Sequence, residues 1–277
     1  MSYNEELEFA VEIAKGASQI VMEHYKRGVD VRWKAKNDPV TDADEESTVY
    51  LIERIRQKYP DDSILIEERE DDKSRIQTLR TWIIDPLDGT QEFIDNRDEF
   101  TVMIGMIERG FPVVGAVALP VQNVVYAGAA GGGVFAYKEN FERVPVTRKE
   151  CNRISEIRLI VSRSHRSTKI DLIKQRLGIQ NEIPCGSVGL KMIKVIIGEV
   201  DLYIHPGGKL KLWDVCAPNA IANAGGVVFT DVTGMQIDYL SSDYYVRKGV
   251  LVAGKELHKK VLEKISDLNF HFTKDTS

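Results

Sequence analysis

Apolar residues return every three or four positions near the start of the chain, at Leu7, Ala10, Val11, Ala14, Ala17, Val21 and Tyr25. That period predicts a long amphipathic helix. A polar stretch, WKAKNDPVTDAD, follows. Val49, Ile52, Ile55 and Tyr59 then mark a second helix, with Thr41 or Asp42 near its start as the cap. Next the period shortens. SILIEE (63–68) and TWIID (81–85) are short apolar runs that end in acids, and each predicts a buried strand. FTVMIGMIERGFPVVGAVALP and VVYAGAAGGGVFAY predict three or four strands in hairpins, turned at Gly and Pro.

Beyond about residue 145 the pattern changes again. RLIVSRSH, DLYIHP, VVFTDVTG and GVLVAG read as strands. Between and after them, Ile170 to Leu177, GSVGLKMIKVIIG, WDVCAPNAIANAGG and the C-terminal segment read as helices. The third of these helices is stopped by Gly225 and Gly226. Strands alternating with helices predict an α/β arrangement. The change of pattern divides the chain into an N-terminal half, 1–148, and a C-terminal half, 149–277, with no flexible linker between them.

The acids that close the apolar runs are the unusual feature. In TWIIDPLDGTQEF, Asp85 and Asp88 flank a proline at the end of a segment that belongs in a core. A calcium EF-hand loop needs acids at its first, third and fifth positions and Gly at the sixth. Counted from Asp85, the third position is Leu87 and the fifth Gly89, so that loop is excluded. A phosphatase with an Asp-x-Asp-Gly-Thr nucleophile is excluded as well, because Pro86 stands where the nucleophile would be. Two readings remain open. The acids cap a turn, or they and the Leu87 carbonyl offer hard oxygen ligands of the kind Mg²⁺ takes.

Glu67 follows Ile64, Leu65 and Ile66 directly, so it too closes an apolar strand. If the two strands are parallel, their acids meet at one end. Glu68 and Glu70 fit better as the solvated start of a charged loop. Asp214, in LKLWDVCAP, and Asp44, in PVTDAD, each sit near a helix start, where favourable interaction with the helix dipole is a sufficient reason for an acid.

Charge narrows the classes of function. The chain has 277 residues, 43% of them hydrophobic, and a net charge of −5. That is enough for a large core, and the absence of a basic excess argues against a nucleic-acid polymer as partner. An acidic protein that handles an anionic substrate needs cations to do so. Cys151, Cys185 and Cys216 form neither a disulfide framework nor a zinc pattern, which points to a reducing, cytoplasmic compartment. The acidic, amphipathic start MSYNEELEFAVEIAKGA is not a secretory leader, and no apolar run approaches the ~18 residues of a membrane span.

Together, DPVTDAD, IEE, WIIDPLDGTQEF and LWDVCAPNAIANAGG resemble, in order, the motifs of the lithium-sensitive, magnesium-dependent phosphatases typified by inositol monophosphatase. They span about residues 35 to 235. Within that superfamily, DGTQEF followed by EFTV, SRSH and GSVGLK resemble the 3'(2'),5'-bisphosphate nucleotidases of the CysQ type. One departure stands out: Ile66 takes the place of the Gly or Ser that usually precedes the paired glutamates.

The resemblance implies a layered α-β-α-β-α sandwich and two or three Mg²⁺ ions. It assigns Glu67, Asp85 and the Leu87 carbonyl to one ion, and Asp85, Asp88 and Asp214 to a second. Thr90 would pass a proton from the attacking water to Asp44, and Gly89 and Thr90 would cradle the phosphate. On the substrate side, Gly186 and Ser187 open a helix, a natural anion site, Lys191 lies one turn in, within reach of a second phosphate, and His165 follows a strand, where it could contact the nucleotide. Lys191 and His165, like Lys209 and Lys211 with their positive charge, have a plain alternative as surface or loop residues. The activity implied is removal of the 3'-phosphate of adenosine 3',5'-bisphosphate, with inhibition by Li⁺. Inositol and fructose phosphatases and a non-catalytic metal-dependent scaffold are the rivals. A homodimer is the assembly the resemblance carries.

Overall fold

The computed structural model describes residues 3–28, 31–35, 38–149, 151, 156–164 and 166–268. Helix α1 (Asn4–Arg27) buries Leu7, Ala10, Val11, Ala14, Ala17 and Val21, the stripe that the spacing predicts. Strands β1 (Val31–Ala35) and β2 (Asp38–Thr41) form an antiparallel ribbon that the polar sequence does not announce. Helix α2 (Asp42–Lys58) starts directly after β2.

A seven-stranded sheet follows in chain order: β3 (Ser63–Ile66), β4 (Arg80–Asp88), β5 (Thr101–Glu108), β6 (Phe111–Leu119), β7 (Val124–Ala129), β8 (Gly133–Tyr137) and β9 (Arg143–Pro145). A short helix, α3 (Thr90–Ile94), interrupts the path from β4 to β5. β3 and β4 run parallel, so their carboxyl ends lie side by side. The later neighbours are antiparallel hairpins.

The remainder contributes β10 (Leu159–Ser162), α4 (Lys169–Leu177), β11 (Glu182–Cys185), α5 (Val188–Ile196), β12 (Leu202–His205), α6 (Leu212–Ala224), β13 (Val227–Thr230), β14 (Val250–Gly254) and α7 (Lys255–Ile265). Its strands make a second sheet in the order β11-β10-β12-β14-β13. β11 has no counterpart in the sequence reading. It is an edge strand carrying Pro184, the position where a strand tolerates a residue without an N–H.

Five layers result. α1 and α2 cover one face of the larger sheet, α5 and α6 fill the space between the sheets, and α4 and α7 cover the far face of the smaller one. This is the α-β-α-β-α sandwich. β4 shows why its sequence looks so uniformly apolar. Trp82 and Ile84 enter the core under α1, whereas Ile83 enters the core under α6. A strand covered on both faces has no polar side to show.

Candidate active site

The site lies where β3, β4 and α6 bring their acids together. β4 does not stop at Asp85. It runs on to Asp88, and the turn expected there is a bulge: Asp85 pairs with Met103 and Asp88 with Thr101, so one extra residue is fitted into β4. A bulge re-aims side chains within a strand. Here Asp85 folds back to accept from the Leu87 N–H at 3.0 Å, and it is 2% exposed. On β3, Ile66 pairs with Ile84 and is buried, so the larger residue fits without disturbing the strand end. Glu67 then donates its N–H to the Ile84 carbonyl at 3.2 Å, which keeps it beside β4.

Asp214 sits in the first turn of α6 and accepts from the Lys211 N–H at 2.6 Å. The electrostatics of this group are unfavourable as they stand. Burial, then the charges of Glu67, Asp88 and Asp214, push the Asp85 carboxyl well above the usual range. Burial, Glu67 and Asp88 do the same to Asp214. One ammonium answers them directly: Lys211 Nζ donates to Glu67 Oε1 at 2.9 Å. Lys209 is exposed.

Asp88 is held differently. Its carboxylate accepts from the Thr101 hydroxyl at 3.1 Å, from the Ser187 hydroxyl, and from the Val188 and Gly189 N–H groups at 3.0 and 2.7 Å. The first turn of α5 is therefore an anion site, but its anion is the protein's own Asp88 rather than a substrate phosphate. Gly186 also departs from its expected part, since its N–H donates to Glu99 Oε2 at 2.7 Å.

Lys191 corrects the picture of a free phosphate-binding amine. It lines the pocket, yet it is 2% exposed and donates to the carbonyls of Cys185, Gly186 and Ser187 at 3.3, 3.1 and 2.6 Å. Burial lowers its pKa. His165 lies outside the described residues. Of the cysteines, Cys185 and Cys216 are buried and Cys151 partly so, and no disulfide forms among the described residues.

Thr90 and Asp44 do meet. The Thr90 hydroxyl lies 3.4 Å from Asp44 Oδ1 and donates to the Leu87 carbonyl at 3.1 Å. Asp44 Oδ2 accepts from the Thr41 N–H at 2.8 Å and the Thr41 hydroxyl at 2.6 Å, so the carboxylate also caps α2. Burial pushes its pKa up to about 7 against those two bonds, with Glu68 and Glu67 adding to the rise. Gly89, between Asp88 and Thr90, has a φ of 94°, the left-handed region that favours glycine.

A cavity of about 190 Å³ opens over these residues. Asp88, Gly89, Thr90, Gly186 and Ser187 line it, and so do Glu92, Ser162 and Ser164, which the sequence did not single out. Glu92 was visible within DGTQEF, two positions after Thr90. Among the described residues, Lys191 is the only basic side chain on the wall. An anionic ligand here meets mostly acids.

The donor chemistry fits hard divalent cations: carboxylates from three elements, one backbone carbonyl and a mutual repulsion that a cation would relieve. Among the described residues no three acid, His or Cys side chains stand as a ready-made metal-ligating group. Lys211 still holds Glu67, and α5 holds Asp88.

Comparison with known proteins assigns the family. The model of the inositol monophosphatase family matches residues 2–269. The chain belongs to that family. The 3'(2'),5'-bisphosphate nucleotidase CysQ of Escherichia coli K12 is 33% identical over 258 residues, which cover 89% of this chain and 99% of that protein. A 3'-phosphoadenosine 5'-phosphate phosphatase of Mycobacterium bovis is 35% identical, over 81% of this chain and 80% of its own length. Among solved structures, the IMPase of Thermotoga maritima superposes with a TM-score of 0.80 at 24% identity, over 97% of this chain and 100% of that one. That likeness speaks for the fold. Among the described residues, no helix is long and apolar enough to cross a membrane.

Proposed function

We propose that this protein is a Mg²⁺-dependent phosphatase that removes the 3'-phosphate of adenosine 3',5'-bisphosphate to give AMP and phosphate. The observation that carries this reading is the convergence of Glu67, Asp85 and Asp214 around the bulge of β4, where burial and mutual repulsion raise Asp85 and Asp214. The names of the relatives, which match over most of the chain, support the nucleotide as substrate.

Glu67, Asp85, Asp88, Asp214 and the Leu87 carbonyl would hold the ions. When bound, Mg²⁺ would supply charge neutralisation at the phosphate and acidify the attacking water, whose pKa in favourable metal sites falls from 15.7 to about 7. The chain's own residues do the rest. Thr90 takes a proton from the attacking water and passes it toward Asp44, to which its hydroxyl is already close. Asp44 must be ionised to accept it. Gly89 and Thr90 present backbone to the phosphate. The leaving 3'-oxygen departs on the side opposite the attack, as an in-line displacement requires.

The test is phosphate release with Mg²⁺ from adenosine 3',5'-bisphosphate, inositol 1-phosphate and fructose 1,6-bisphosphate side by side, with and without millimolar-scale Li⁺. A strong preference for the nucleotide and inhibition by Li⁺ are expected. Preference for a sugar phosphate would discard the substrate, and no release from any of the three would discard the enzyme.

A further inference from the structure

Glu92 is buried beside the pocket, and among the described residues one of its oxygens has no donor. The residue is 6% exposed and lines the same cavity as Gly89 and Thr90. Its Oε1 accepts from the Ser164 hydroxyl at 2.7 Å. Among the described residues, no donor stands on Oε2. That oxygen is not among the fully buried unpaired atoms, so it opens on the cavity that Glu92 lines.

The packing holds Glu92 in place. A Cβ on Gly186 would fall 2.3 Å from Glu92 Cγ, so the loop before α5 presses its bare backbone against this side chain. Only a glycine allows that approach. The Lys191 ammonium lies near enough to feel the Glu92 charge, but its hydrogens go to the three loop carbonyls.

An ionised carboxylate accepts hydrogen bonds and donates none. It repels a phosphate and suits a neutral donor. With the ester phosphate at Gly89 and Thr90, the nearest donor that a 3'-nucleotide brings into this small cavity is the hydroxyl on the neighbouring ribose carbon. We infer that Glu92, held by Ser164, reads a substrate hydroxyl adjacent to the phosphate ester that is cleaved. The inference rests on the phosphatase reading above. It makes Glu92 a specificity-determining residue and directs the second phosphate of the substrate away from this wall.

The experiment compares adenosine 3',5'-bisphosphate with its 2'-deoxy counterpart. Hydrogen bonds to charged groups are worth ~1.5–3 kcal/mol, so the wild-type protein should favour the ribonucleotide by roughly tenfold to a hundredfold in kcat/KM. Glu92→Ala should lower kcat/KM on the ribonucleotide far more than on the deoxynucleotide and bring the ratio toward one. Ser164→Ala, a milder change, should shrink the ratio in the same direction and covers the case in which Glu92→Ala does not fold. Equal wild-type rates on the two substrates, or an equal loss on both in either variant, would overturn the role of Glu92 and leave the phosphatase standing. Absence of release from both nucleotides would overturn the nucleotide reading, and this inference with it.

Discussion

Two neighbouring regions of the pocket treat their acids in opposite ways. At the ends of β3, β4 and α6, Glu67, Asp85 and Asp214 have few donors, and burial, then the neighbouring acid charges, raise Asp85 and Asp214. At the start of α5, Asp88 meets two hydroxyls and two backbone N–H groups, Glu99 meets Arg163 and the Gly186 N–H, and Lys191 meets three carbonyls. The second region is finished within the chain. The first is left incomplete, at a cost in stability, and a bound cation would relieve its repulsion. A plain structural turn would have been built like the second.

Substitutions should therefore separate the regions by the sign of their effect on stability. The largest change expected is in activity: Asp85→Asn should lower kcat/KM by at least about a hundredfold, the scale of losing one electrostatic stabiliser. The same variant should melt higher than wild type without Mg²⁺, because it removes a repelled charge. Calorimetry beside the phosphate assay checks both. Lys191→Met should act in the opposite sense. It leaves the Cys185, Gly186 and Ser187 carbonyls without their shared donor and should cost about 2–4 kcal/mol, which denaturant unfolding would read. If Lys191→Met lost activity at unchanged stability, Lys191 would be a substrate contact after all. Gly186→Ala should be milder, about 1–3 kcal/mol, from overpacking against Glu92.

A further effect is on pH dependence. In the folded protein burial pushes the Asp44 carboxyl from the usual 3.8 up to about 7. The folded state therefore binds its proton more tightly, and its stability without Mg²⁺ falls as pH rises between those values, by up to roughly 1.4 kcal/mol per pH unit. Asp44→Asn should make that slope shallower in urea titrations at successive pH values, leaving the share that Asp85 and Asp214 contribute. An unchanged slope would show that Asp44 is more solvated than its burial suggests.

The layers were legible because each periodic segment has one job. The stripe of α1, the two-faced β4 and the hairpins from β5 to β8 carry their period openly. β1, β2 and β11 were not legible: the ribbon is polar, and β11 carries a proline that only its edge position permits. In the site, the acids could be listed but their settings could not. A bulge at Asp85 and a turn at Asp85 have the same local sequence, and the difference appears only in the pairing with β5. The lysine at 191 looked like a solvated helix residue or a phosphate ligand. Its burial follows from α5 packing between the two sheets, which no local pattern records.

We propose that the acids around the bulge are built to hold cations. Thermal unfolding of the wild-type protein and Asp85→Asn across a Mg²⁺ titration tests it without relying on any substrate. Binding to the folded state alone stabilises it in proportion to RT ln(1 + [Mg²⁺]/Kd), about 2.7 kcal/mol at a hundred times Kd. The account predicts a melting temperature that climbs with Mg²⁺ in the wild type and stays nearly flat in Asp85→Asn. Parallel curves for the two proteins would contradict it.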